Sequence, residues 1–243
     1  MPRLQRLELV LPVKNRLRIL LGEDSLEWRL LHGLRLRFQQ VLPPPPLEPG
    51  VSLRQWVEAG KPAPPPHAVK QRILAAYASA FDIRTMIETG TYAGATVWAM
   101  KDRFDSIFSI ELSERLARRA SRRFRSFPHI RILQGDSSAV LQGLLSRIST
   151  RCLFWLDGHY SAGITAQGDA ATPVMQELRT ILDHRIEDHV ILVDDARLFV
   201  GSGGFPGVRE LRGLVSVHRP DWDFSVRNDV IRIHPRQDLA SEF

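Results

Sequence analysis

From His67 onward the chain alternates between two hydrophobic rhythms. Short, nearly continuous apolar runs over residues 85–88, 106–110, 130–134, 152–157 and 190–194 are separated by longer segments whose apolar positions recur three and four apart. Uninterrupted short runs suit strands buried on both faces, and the intervening period suits helices packed against them. The alternation predicts βαβ units, a mostly parallel sheet with helices on both faces, and a lead-in helix over residues 67–80. The end of the chain breaks the rhythm. Residues 224–227 and 230–233 flank Asn228-Asp229, a two-residue turn that predicts an antiparallel hairpin closing the sheet. The expected fold is therefore α/β and Rossmann-like, with seven strands.

Ahead of this region, two proline-rich stretches, residues 43–50 and 61–66, interrupt any regular element. They set off an arm over residues 1–50 from a domain over residues 51–243. Within the arm, Ser25 can cap a helix whose Leu26, Leu30, Leu34 and Phe38 fall at helical spacing. The apolar stripe of this basic, amphipathic helix suits packing on the main domain, or on a second subunit in a homo-oligomer; a membrane surface is the alternative, since arginine-rich amphipathic helices bind anionic leaflets.

Composition narrows the class. The chain has 243 residues, enough for one α/β domain plus an extension, and its 44% hydrophobic and 25% charged residues are those of a soluble globular protein. The lone Cys152 has no internal partner for a disulfide and falls in an apolar run, so core packing and a reducing, cytoplasmic setting are expected. No apolar stretch approaches the roughly 20 residues that span a bilayer, and charges interrupt the first residues too often for a signal peptide. A net charge of +6 favours anionic partners. Arg118, Arg119, Arg122, Arg123 and Arg125 read as the solvated face of one helix, and without zinc-finger spacing or RNP-type aromatics nucleic acid is disfavoured.

Chemistry concentrates at the ends of the predicted strands. The first runs into Glu88-Thr-Gly-Thr-Tyr-Ala-Gly-Ala-Thr96, whose glycines permit a tight turn and close backbone approach to a ligand. The loop lacks the G-x-G-x-x-G of dinucleotide binders and carries its acidic residue before the first glycine, which disfavours a nicotinamide cofactor. The second strand ends at Glu111, placed to accept hydrogen bonds from a ribose, and the third runs into Gly135-Asp136-Ser137. The order E-x-G-x-x-x-G-x-T, Glu111, Asp136 resembles the class I S-adenosylmethionine-dependent methyltransferases. That resemblance implies a cofactor site of Glu88, Gly90, Thr91, Tyr92, Gly94, Thr96, Glu111, Asp136, Ser137 and Asp157, with S-adenosyl-L-methionine as the cofactor.

The fourth strand ends in Leu156-Asp-Gly-His-Tyr160 and the fifth in Val193-Asp-Asp-Ala-Arg197, bringing three carboxylates to the edge where open α/β sheets bind ligands. Clustered carboxylates repel unless protonated or bridged by a cation, and all-oxygen donors suit Mg2+. Asp157, Asp194 and Asp195 resemble the metal ligands of catechol O-methyltransferase and the macrocin-type sugar O-methyltransferases. In those enzymes the cation binds the acceptor hydroxyls and lowers their pKa. One departure is visible: the catechol enzyme has a lysine three residues after its first metal aspartate, and Tyr160 stands there. His159 becomes the candidate general base beside Asp157, since imidazole titrates near neutrality. The alternative is metal-free, with Asp194 or Asp195 capping the next turn and Asp157 bonded to loop amides. Residues 161–171 and 201–207 could line an acceptor pocket or merely connect elements. The resemblance implies O-methylation of a small polar or glycosidic acceptor; an NAD(P)-dependent oxidoreductase and a non-catalytic module with a membrane-associating arm remain as alternatives.

Overall fold

The structure, a computed structural model, describes residues 53–158 and 172–237. After α1 (Leu53–Glu58) and α2 (His67–Ala80), the chain runs β1 (Thr85–Thr89), α3 (Ala95–Met100), β2 (Ser106–Glu111), α4 (Glu114–Arg123), β3 (Ile130–Gln134) and α5 (Ser137–Leu145). It continues β4 (Leu153–Leu156), α6 (Val174–Leu182), β5 (Val190–Val193), a 3-10 turn (Ala196–Leu198), α7 (Val208–His218), β6 (Trp222–Arg227) and β7 (Val230–Pro235). The seven strands form one sheet in the order β3-β2-β1-β4-β5-β7-β6. All neighbours from β3 to β5 are parallel, and β7 is antiparallel to both β5 and β6.

Alternation of side chains along the strands feeds two cores. Met86, Ile107, Leu153, Trp155 and Leu192 face one layer with Trp56 of α1, Ile73 and Leu74 of α2, Val97 of α3 and Phe124 beyond α4. Ile87, Ile110, Phe154, Leu156 and Val193 face the other, packed by α5, α6 and α7. Each such fully buried side chain contributes roughly 1.5–3 kcal/mol of transfer free energy. Cys152 belongs to the second layer, and burial pushes its thiol up to about 12, as suits a packing residue.

The hairpin is joined by Asn228 and Asp229 at φ 51 and 60, the two left-handed positions of a type I′ turn. Its second strand, not its first, enters the sheet. Five of the six β7 residues are buried while β6 is half exposed, so the more apolar strand takes the inner place and β6 forms the edge. Of the five clustered arginines, Arg118, Arg119 and Arg122 do lie exposed on α4, but Arg125 falls past the helix end, and the Arg123 guanidinium stacks 5.5 Å above the Trp98 ring. Among the described residues no helix is long and apolar enough to cross a membrane. The arm over residues 1–50 lies outside the described residues.

Candidate functional site at the carboxyl edge of the sheet

The loop after β1 is built from left-handed backbone: Gly90, Tyr92 and Gly94 have φ of 90, 46 and 73. Gly90 has a second requirement. A Cβ placed there would stand 2.4 Å from the Asp157 carbonyl oxygen, so only glycine lets the loop cross the end of β4. Beneath the loop the Glu88 carboxylate is buried and accepts hydrogen bonds from the Ser109 hydroxyl and from the Thr96 side chain, while the Ser109 and Thr91 hydroxyl oxygens lie 2.5 Å apart. Burial pushes the Glu88 carboxyl up to about 8, outweighing the hydrogen bonds from Ser109 and Thr96 that oppose it. Glu88 thus ties β1, β2 and the loop into one network.

Glu111 braces the loop from the next strand. Its Oε2 accepts the Tyr92 amide at 2.8 Å and its Oε1 the Ser113 amide at 2.9 Å. Each carboxylate oxygen can accept a second hydrogen bond, so the bracing leaves acceptor capacity for a ligand. Gly135 donates its amide to the Glu111 carbonyl at 3.0 Å, which sets the end of β3 beside that of β2. There Asp136 caps α5, its Oδ1 accepting from the Ser138 amide at 2.9 Å and hydroxyl at 2.7 Å. Ser137 is buried against Glu177 of α6, whose carboxyl burial pushes up to about 7. No sequence pattern had singled out Glu177.

The three aspartates do converge. The Asp157 amide bonds to the Thr89 carbonyl and the Asp194 amide to the Leu156 carbonyl, each at 3.0 Å, which aligns the ends of β1, β4 and β5. Asp157, Asp194 and Asp195 each offer a carboxylate oxygen, all within 4.8 Å of one another. Asp195 stands at φ 54 and donates its amide to Asp194 Oδ1 at 2.7 Å. Burial and then the Asp194 charge hold the Asp157 carboxyl well above the usual carboxylate range, and burial raises Asp194 to about 6 against the pull of Lys70.

Two cations complete the cluster, and neither was foreseen. Lys70 of α2 reaches in with its Nζ 2.5 Å from Asp194 Oδ2 and 3.2 Å from Asp195 Oδ1. Arg197 donates to Asp195 Oδ1 at 2.8 Å, and its backbone amide and guanidinium both bind the Asp229 carboxylate in the hairpin turn. A signal for Lys70 existed: it begins the series 70, 73, 74, 77, and the other three members are buried core residues. A charge on that stripe needs a buried partner. The donor set is chemically that of a hard-ion site, but two of its three carboxylates already share an ammonium. As folded, the trio is compensated from within and does not fit an added dication.

His159 and Tyr160, with the loop over residues 161–171, lie outside the described residues. The loop over residues 201–207 closes on itself: Val200 bridges Gly207, and the Gly207 amide donates to Glu210 Oε1 at 3.2 Å. It leads into α7 as an ordered connector.

No protein-family model matches the sequence, and no curated protein sequence does. Solved structures match the fold. The O-methyltransferase TomG from Streptomyces achromogenes, involved in tomaymycin synthesis and bound to SAM, aligns with a TM-score of 0.52 at 16% identity, over 74% of this chain and 86% of its own. An O-methyltransferase from Bacillus cereus in complex with SAH gives 0.53 at 14% identity, over 75% and 88% of the two chains. The SAH-bound methyltransferase PaMTH1 of Podospora anserina gives 0.50 at 16%, over 94% and 99%. The chain therefore shares its Rossmann-like fold, a mostly parallel seven-stranded sheet, with these solved methyltransferases.

Proposed function

We propose that this protein is an S-adenosylmethionine-dependent O-methyltransferase with a small polar or glycosidic acceptor. The observation that carries the reading is the backbone contact between Gly90 and Asp157, which joins a nucleotide-type loop to a carboxylate cluster on one sheet edge. The solved O-methyltransferases TomG and that of Bacillus cereus share the fold and carry SAM and SAH, which supports the same ligand here.

The residues fit this cofactor. Gly90 and Gly94 let the loop over residues 90–94 lie directly against the Asp157 backbone and the Phe124 ring, which holds it at the sheet edge, and Glu111, bracing it, keeps acceptor capacity for ribose hydroxyls. In this reading the loop receives the methionine and ribose portions, Glu111 the ribose hydroxyls, and Asp136 and Ser137 the adenine edge. When bound, S-adenosylmethionine supplies an electrophilic methyl group: the acceptor oxygen forms a bond to that carbon as the carbon–sulfur bond breaks and its electron pair stays on sulfur. Asp157 accepts the hydrogen bond from the acceptor hydroxyl, holds its oxygen toward the loop, and takes up its proton, a transfer favoured by the neighbouring Asp194 charge. The low-polarity surroundings that push the Asp157 carboxyl up strengthen that grip, because a hydrogen bond there is electrostatically stronger than one in water.

The test is calorimetric titration with S-adenosylmethionine, S-adenosylhomocysteine and NADH, followed by transfer of labelled methyl to a panel of catechols and sugars. Binding of the first two with label appearing on oxygen is the expected result. Binding of NADH alone would make the protein an oxidoreductase instead.

A further inference from the structure

The carboxylate cluster carries its own counter-ion. Ile73, Leu74 and Tyr77 lock α2 into the core, which fixes the helix that carries Lys70. Its side chain, only 12% exposed, spans from that helix to the end of β5. The ammonium bridges Asp194 and Asp195 at 2.5 and 3.2 Å, the same bridging role that a divalent ion performs for clustered carboxylates. Arg197, 2.8 Å from the same Asp195 oxygen, adds a second positive charge. A dication held by these oxygens would stand against the ammonium and would have to expel it.

We propose that Lys70 is the resident cation of the Asp157, Asp194 and Asp195 site, and that the site works with no divalent ion. An ammonium has three N–H donors, and Asp194 and Asp195 engage two of them. The third is the donor for an acceptor oxygen lying beside Asp157. Lys70 thereby performs two tasks assigned to a metal: it neutralises the carboxylates and orients the acceptor oxygen. The inference rests on the acceptor-site reading of the trio, but its test does not require methyl transfer.

Mn2+ titrated into the full chain, with the free ion followed by electron paramagnetic resonance, reads the cluster directly. Wild type is expected to show no saturable binding through the millimolar range, and S-adenosylmethionine affinity unchanged by chelator. Lys70→Met removes the ammonium and keeps the aliphatic stem; it is expected to gain Mn2+ affinity by at least about ten-fold, because a like charge has left the carboxylates. Lys70→Met combined with Asp194→Asn loses that gain. Saturable Mn2+ binding by wild type that disappears in Asp194→Asn overturns the proposal, and so does a folded Lys70→Met with no gain. Should Lys70→Met fail to fold, the melting of wild type with and without Mn2+ decides: no shift supports the lysine assignment, and a rise abolished by Asp194→Asn overturns it. Loss of S-adenosylmethionine binding alongside the expected Mn2+ results would sink the methyltransferase reading and leave the lysine assignment standing.

Discussion

Gly90 and Asp157 meet backbone to backbone: a Cβ built on Gly90 would lie 2.4 Å from the Asp157 carbonyl oxygen and 2.8 Å from its carbonyl carbon. The loop after β1 and the carboxylate cluster therefore share one wall. At φ 90, Gly90 also occupies backbone space that side chains avoid. Gly90→Ala is expected to cost roughly 2–4 kcal/mol from strain and clash together, to lower Tm by several degrees, and to abolish S-adenosylmethionine binding. Thermal melts and calorimetry check it; a variant that melts and binds as wild type does refutes the shared wall.

Glu111 holds the loop and is the proposed ribose acceptor at once. Glu111→Gln turns one acceptor oxygen into a donor that faces the Tyr92 or Ser113 amide, and Glu111→Ala removes both bonds. Hydrogen bonds to charged groups are worth about 1.5–3 kcal/mol, so S-adenosylmethionine affinity should fall about ten-fold in the first variant and about a hundred-fold in the second. Equal affinities in all three proteins would remove Glu111 from the site.

Asp157 is expected to separate binding from turnover. Asp157→Asn preserves the backbone that meets Gly90 but can no longer take a proton. Methyl transfer should drop by roughly a hundred-fold or more while the dissociation constant of S-adenosylmethionine changes little. A parallel loss of both would assign Asp157 to cofactor binding alone.

Glu177 gives stability a pH signature. Burial pushes its carboxyl from 4.5 up to about 7, so the folded state prefers the protonated form. Its contribution is whole below the unfolded value and is lost as pH rises toward the folded one. Glu177→Gln stays neutral throughout, so its stability relative to wild type should climb between about pH 4.5 and 7, by up to roughly 3 kcal/mol, and level off above. Urea unfolding across that range measures it; a flat difference refutes the shift.

The local plan of the fold was readable from residue order. The helix expected over residues 67–80 is observed with those bounds, the run at 130–134 is β3 to the residue, and Asn228-Asp229 makes the expected two-residue turn. The remaining parallel strands fall within a residue of their apolar runs. The backbone geometry of helix and strand imposes its period on neighbouring side chains, so a chain that must bury one face carries the record locally. Glu88, Glu111 and Asp136 were legible for a related reason: strand ends in a parallel sheet share one edge.

Pairings across long stretches of chain left no such record. Lys70 and Asp194 are 124 residues apart, and their meeting depends on β4 and β5 standing beside β1 under α2. Arg197 and Asp229 meet because β7, not β6, lies against β5 and carries the hairpin turn to the site. Periodicity reports which face of an element is buried, not which distant charge shares that burial. Residue order alone thus established the elements, their class and the acidic residues at the strand ends. The packing of α2 against the sheet settled that Asp194 and Asp195 face a lysine, because a buried carboxylate takes whichever compensating charge the crossovers bring within reach.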